Sequence, residues 1–424
     1  MAESRRSRSP SAQGASALAR QDVVLYIGAS VIGSFGLGVT GFYLNFLYRA
    51  LGLGEAEIGA LAGALALGGV IGAAPAALLA RRYSRRAALL IGGTITASGI
   101  VGLLVVNVFP LLVVAAALLG CGGIVVASSG SALIADATFA TERAAMFGRQ
   151  IAFGTTAAFF ASFLAGALAA PVAGLLGLGA RDPLVIRTLI AGGGIIAAAS
   201  ALPILFVRAP LVPRGGHERS VRVRLLARFI VLEIAFGFGA GSFLPFVNLF
   251  FTDRFALDFR AVGIALGVVA IAGSLGALVH SRVFVPRLGP LRAVVAVELA
   301  SLPFALLAAF AADVIVAVAA LAIRALLMYG ASATMGGFTQ SSFAPAERAG
   351  AHATLLLFWG VGSAAGAVIA GLVRAALGPA GYTANLIVLA LAYLVAALLT
   401  LALFRDHEPR GDEVAGAAPH SVIQ

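Results

Sequence analysis

Three ionisable side chains stand deep inside long apolar runs, where an unpaired charge costs about 2.5–3.5 kcal/mol at the bilayer centre. Arg324 lies midway along the run from Val314 to Gly337, within Leu-Ala-Ile-Arg-Ala-Leu-Leu-Met-Tyr-Gly. Glu233 follows Arg228 by five residues, and Glu298 is embedded in Ala-Val-Glu-Leu-Ala. A charge at such depth is by default a functional one. A guanidinium there can hold an anionic group of a solute or pair permanently with a carboxylate. A carboxyl there can load and release a proton, which is the role expected of Glu233, or pair with a nearby arginine. Glu298 is expected to form a structural pair.

The remaining polar candidates are uncharged. Asn45 and Asn248 recur at matching places near the ends of two apolar runs, suited to a helix–helix hydrogen bond or to solute contact. Tyr43, Gln150 and Trp359, the only Trp, can stack on or hydrogen-bond a solute. Nothing in the sequence points to other chemistry. No His, Asp and Glu cluster has metal-ligand spacing, and no Ser, His and acid set is placed for nucleophilic attack. Gly36-Leu-Gly38 does not follow a strand, so a nucleotide-binding reading fails its context. Cys121 stands alone in an apolar run and reads as a small buried side chain. No enzyme activity and no cofactor are expected.

The elements that must position these residues follow from composition. Hydrophobic residues make up 61% of the chain and charged residues 11%, with mean hydropathy +1.03. A soluble domain needs roughly 25% charge to cover itself, so the solvent for most of this chain is lipid. A net charge of +11 does not signal nucleic acid here, because the arginines fall between the apolar runs. Spans of about 20 residues are expected near 23–49, 56–80, 87–108, 110–135, 146–172 and 186–208. Six more follow near 226–252, 260–284, 290–312, 313–337, 350–376 and 381–405.

Between the two sets lies Arg208 to Arg228, with six arginines, two prolines and two adjacent glycines. It reads as a cytoplasmic linker, residues 209–225, between halves 22–208 and 226–405. Residues 1–21 and 406–424 read as cytoplasmic tails, the first disordered. Arg5-Arg6 suggests an export signal, but the apolar run from Val23 is too long for a signal core. With the N-terminus inside, 22 arginines fall in inner segments and six in outer ones (Arg49, Arg181, Arg187, Arg254, Arg260, Arg374). Both termini are therefore expected in the cytoplasm and the protein in an inner (plasma) membrane.

The halves repeat one another. Asn45-Phe-Leu-Tyr48 returns as Asn248-Leu-Phe-Phe251, and Gly59, Gly69 and Gly72 return as Gly263, Gly273 and Gly276. Arg82 returns as Arg287, and Glu142-Arg143 as Glu347-Arg348. A six-span offset is even, so equivalent helices run the same way through the membrane. This is the parallel-repeat arrangement of a class of transporters.

Twelve spans in two repeats, an Arg-rich loop after spans 2 and 8 and a long basic linker resemble the major facilitator superfamily. The 2–3 loop, Ala77-Leu-Leu-Ala-Arg81-Arg82-Tyr83-Ser84-Arg85-Arg86, is similar to that family's G-x-x-x-D-R-x-G-R-R. Ala77, Arg81 and Ser84 depart from it; Arg82, Arg85 and Arg86 keep its basic part. In the family the Asp helps to latch the cytoplasmic side, so the resemblance implies another carboxylate here, Asp136 or Glu142. Phe343 to Gly350, with Glu347 and Arg348, is similar to the family's P-x-x-x-R-[AG] stretch, with the Arg one position early. A drug-antiporter signature is not recognisable between Gly154 and Gly174.

The expectation is an all-α protein of the major facilitator fold with a monomeric, alternating-access transport function. It would be proton-coupled and export a drug or metabolite, with solute and protons as its partners besides the bilayer. Uptake of an anionic metabolite or sugar is the alternative, and a non-transporting receptor or scaffold the reading from another class. Solute contact falls to Arg324, Asn45, Asn248, Tyr43, Gln150 and Trp359, proton coupling to Glu233. Gating falls to Arg82, Arg85, Arg86, Asp136, Glu142, Arg287, Glu347 and Arg348. The topology has a direct check: green fluorescent protein fused after Gln424 should fluoresce, and alkaline phosphatase at the same place should be inactive.

Overall fold

The computed structural model describes residues 10–138, 140–208, 222–343 and 347–404. Residues 209–221 of the expected linker and the whole 406–424 tail lie outside that set. The described residues form helices with no strand among them, as a chain in lipid must, because only internal hydrogen bonding satisfies its backbone there. The first half holds α1 (Pro10–Ala50), α2 (Glu55–Arg82), α3 (Arg85–Val105), α4 (Phe109–Ala137), α5 (Ala140–Leu176), α6 (Pro183–Ala199) and a short α7 (Ala201–Leu205). The second holds α8 (Val223–Phe243), α9 (Val247–Phe255), α10 (Phe259–Val279), α11 (Val285–Leu288), α12 (Pro290–Phe310), α13 (Val314–Ser342), α14 (Arg348–Leu377) and α15 (Ala380–Phe404).

Twelve helical stretches among the described residues are long and apolar enough to cross a membrane. The twelve expected spans are therefore present. Local chemistry fixes several helix starts. Asp182 and Asp313 each accept a backbone N–H of the first turn, at 2.8 Å from Leu184 and 2.7 Å from Ile315. Ser84, where the family pattern has Gly, accepts the N–H of Ala87 at 3.2 Å and so opens α3. The seventh crossing is broken by a 3-10 turn at Leu244–Phe246, where Pro245 supplies no N–H. α1 begins at Pro10, ahead of the apolar run, where Ala, Gln and Arg favour helix.

The chain divides into two compact units, Met1–Leu53 with Ala64–Gly216, and Gly54–Gly63 with His217–Gln424. The first turns of α2 thus pack with the second unit, which the expected boundary between 208 and 226 did not foresee. In the first unit α1 packs on α5 and α6, and α3 on α4 and α6. In the second, α8 packs on α14 and α15, and α12 on α13 and α15. The pairings are the same in repeat order. An aromatic cluster packs the second unit, where Phe229, Phe338, Phe343 and Phe404 meet with Leu232 and Met335. Tyr26, Leu133, Ile134 and Ile204 hold the matching place in the first.

The repeat reaches single contacts. A Cβ on Gly72 of α2 would meet the Cα of Cys121 in α4 at 2.8 Å, and a Cβ on Gly276 of α10 would overlap the backbone of Leu326 in α13. Small residues let these backbones meet without side chains between them. Gly276→Ala should lower thermal stability in detergent by about 1–3 kcal/mol, the range for overpacking. Gly72→Ala should cost less, because its backbone neighbours, Cys121 Cα and O at 2.8 and 2.9 Å, stand farther off than the Leu326 carbonyl oxygen that a Cβ on Gly276 would meet.

Candidate functional site

In the first unit, Arg85 is buried at the start of α3 and reaches across to the end of α4. Its Nε and Nη2 meet Asp136 Oδ2 at 2.9 and 2.8 Å. Asp136 thus pairs with the last part of the basic 2–3 loop. Arg82 and Arg86, on either side, are exposed. Glu142 lies on α5, with its side chain outside the described residues. In the second unit Arg287 is exposed and donates to the carbonyl of Val283 in its own turn. Glu347 is buried and takes Arg222 Nε at 3.5 Å, while Arg222 Nη2 donates to Ser342 O at 2.6 Å. The side chain of Arg348 lies outside the described residues.

Deeper in the second unit, helices α12, α13 and α15 bring together residues that the sequence kept apart. Arg324 is 5% exposed and its guanidinium lies over the Tyr393 ring, 4.9 Å from the centroid. Glu298, 2% exposed, and Tyr329 act electrostatically on the same Tyr393. Arg324 keeps Nε and Nη2 buried without a hydrogen-bond partner among the described residues, and Glu298 keeps Oε2 so. A low dielectric strengthens the attraction of such charges for each other and for any ion that reaches them. Glu233, on α8, is partly buried. Arg228, five residues before it, is engaged with Leu403 O at 3.2 Å.

The uncharged candidates divide between wall and surface. Tyr43 is fully buried and donates its hydroxyl to Ala165 O of α5 at 2.5 Å. Asn45 and Asn248 are both buried; Asn248 Oδ1 accepts the N–H of Leu249, and Thr252 donates to its carbonyl. Gln150 donates to Ser30 Oγ at 3.2 Å, joining α5 to α1. Trp359 is 38% exposed, on the stretch of α14 that lies against Gly237 of α8.

Three further arginines hold what the sequence did not reveal. Arg187 donates to Val106 O and Asn107 Oδ1 at the end of α3, and Arg254 to Ala309 O and Ala311 O at the end of α12. Each satisfies carbonyls that the end of a helix leaves over. Arg374, counted from sequence as an outer-segment charge, is 1% exposed. Its Nη1 lies 2.5 Å from Glu55 Oε2, and its guanidinium sits 3.9 Å from the Phe246 centroid. Tyr382 links it onward to Asp253. Only the position of Arg374 inside an apolar run hinted at this, and nothing in the sequence paired it with Glu55.

The sequence profile described as Major Facilitator Superfamily matches residues 26–343. No curated protein matches the chain. Among solved structures, the bacterial homolog to human lysosomal transporter Spinster, in an inward-facing and unoccupied conformation, superposes with a TM-score of 0.72 at 16% identity, covering 94% of this chain and 98% of that one. The nucleoside transporter NupG gives 0.69 at 17%, covering 92% and 99%. The transporter FucP, in its outward conformation, gives 0.64 at 14%, covering 89% and 97%. At these identities the likeness is one of fold.

The Arg85–Asp136 pair can be tested for what it contributes. Asp136→Asn should leave a buried guanidinium uncompensated and lower thermal stability by about 1–3 kcal/mol. This is below the ~3–5 kcal/mol of a fully buried pair because the Asp136 side chain is 28% exposed. Asp136→Glu should keep most of the stability.

Proposed function

Since the chain belongs to the Major Facilitator Superfamily and is a multi-pass membrane protein, we propose that it is a proton-coupled secondary transporter exporting a small drug or metabolite by alternating access. The observation that carries this reading is the set of ionisable groups on apolar helices of the second unit: Glu233 partly buried on α8, and Glu298 on α12 and Arg324 on α13 buried, with Arg324 over Tyr393. Lipid does not tolerate such groups without use, and a carboxyl with intermediate access can exchange protons as the pathway opens to either side.

Glu233 carries the coupling proton. Gln150 and Trp359, the more accessible of the polar candidates, make first contact with solute. Asn45 and Asn248 shape the outer ends of their helices, and Tyr43 braces α1 on α5. Arg324 supplies positive charge to an anionic part of the solute, with Tyr393 holding its plane. At the inner face Arg82, Arg85 and Arg86 with Asp136 and Glu142, and Arg287 with Glu347 and Arg348, gate the cytoplasmic opening. The protein works as a monomer in the inner membrane, with both termini in the cytoplasm.

Unspent donors on Arg324 favour one second reading, uptake of an anionic metabolite or sugar. Among proteins of this fold, one is a nucleoside transporter and another a fucose:proton symporter. Labelled nucleosides, fucose, organic anions and cationic dyes are therefore the first probes.

The test is flux in proteoliposomes with and without a pH gradient, with a trapped pH dye reading protons. Solute and proton movement should rise together, and Glu233→Gln should abolish gradient-driven flux while leaving exchange. Flux that ignores the gradient, or that survives Glu233→Gln, removes the coupling role. Arg324→Ala should cut flux at least tenfold with helicity intact, about 1.4 kcal/mol of transition-state or binding energy. Unchanged flux in that variant would remove Arg324 from the solute site, and no flux with any probe would favour a receptor or scaffold.

A further inference from the structure

The second unit includes a piece of a helix whose remainder belongs to the first, Gly54–Gly63 at the start of α2. Two kinds of contact hold it. Gly59 lies against Gly371 of α14, so closely that a Cβ on Gly59 would stand 2.6 Å from the Gly371 Cα, and a Cβ on Gly63 would stand 2.8 Å from the Val368 side chain. Such a seam is tight but smooth, with little interlocking to resist separation. The polar tie at its end is Glu55 to Arg374.

The two ends of that tie are unequal. Arg374 is 1% exposed, seated over the Phe246 ring and flanked by Tyr382, whose ring centroid is 5.4 Å away. The Glu55 side chain is 27% exposed and sits in the first turn of its helix. If the seam parts, the carboxylate moves and the guanidinium stays. A guanidinium left alone in that seat would be an uncompensated buried charge, which proteins avoid strongly. A second carboxylate is already connected. Arg374 Nη1 is 3.4 Å from the Tyr382 hydroxyl, and that hydroxyl donates to Asp253 Oδ2 at 2.5 Å.

We propose that Arg374 is a fixed cation served in turn by two carboxylates: Glu55 latches the outer end of α2, and Asp253, acting through Tyr382, balances the charge when Glu55 leaves. Asp253 and Tyr382 thereby lower the cost of unlatching, so Glu55 and Asp253 act in opposite directions on one equilibrium. The inference rests on the transporter reading, because only a protein that opens its outer end needs a tie that can be released.

Amide hydrogen exchange in nanodiscs, followed by mass spectrometry on the peptides covering residues 54–68 of the full chain without solute, reads this equilibrium directly. Glu55→Gln should speed exchange there by about tenfold, and Asp253→Asn should slow it several-fold, within the ~5–150-fold range of such couplings. Tyr382→Phe removes the hydroxyl without changing any charge and should slow exchange as Asp253→Asn does. Glu55→Asp, which keeps the charge but shortens its reach, should give a smaller acceleration than Glu55→Gln. Exchange unchanged in Glu55→Gln would overturn the latch. Unchanged or faster exchange in both Asp253→Asn and Tyr382→Phe would show that they brace a static pair, and would overturn the exchange of partners. No transported solute enters the measurement, so a failed flux assay leaves its result standing.

Discussion

A charged side chain below the membrane surface has little water to turn to, and five arginines among the described residues each find at least one partner in the protein, although Arg85, Arg324 and Arg374 keep buried nitrogens with no hydrogen bond there. The answers differ in kind. Arg85 takes a carboxylate, Arg324 an aromatic face, Arg374 both, and Arg187 and Arg254 the free carbonyls at the end of a helix. The choice of arginine suits this, since its flat fork can serve two acceptors at once and lie on a ring, which an ammonium cannot do as well. The charges therefore act as fastenings as well as orientation signals.

Around those fastenings the helices approach closely because their facing residues are small. Several seams in both units set Gly directly against backbone, among them Gly36 on Ala197, Gly68 on Ala117, Gly237 on Trp359 and Gly276 on Leu326. Aromatic side chains cluster as well, with Phe229, Phe338, Phe343 and Phe404 in one group of the second unit and Phe243, Phe250 and Phe251 in another.

Most of the architecture could be read from the sequence, for a physical reason. Lipid imposes length, apolarity and helicity on each crossing, so the twelve spans and their duplication show in composition and spacing alone. The repeat from Gly72 to Gly276 was legible because a close backbone approach admits almost no other residue. The charge partners were not legible. Arg374 and Glu55 lie at opposite ends of the chain, and no local period joins them, so Arg374 counted as one more outer-segment charge. Glu298 and Arg324 were each seen, but that they surround Tyr393 depends on how α12, α13 and α15 turn their faces. Ser84 read only as a departure from a family pattern until its hydroxyl was found opening α3. α1 ran past its apolar limit because helix propensity continues where hydropathy stops.

The two arginines that finish the third crossing of each unit have unequal histories during synthesis. Arg187 is made after α3, so the carbonyls at the end of that helix must wait for α6 to arrive before they are satisfied. Arg254 is made before α12, and its guanidinium is already in the chain when that helix emerges. If membrane domains assemble in the order they are made, the first unit stays unfinished longer than the second in this one respect, and the interval while α3 lacks its cap is when an insertion helper or a quality-control protease would find it.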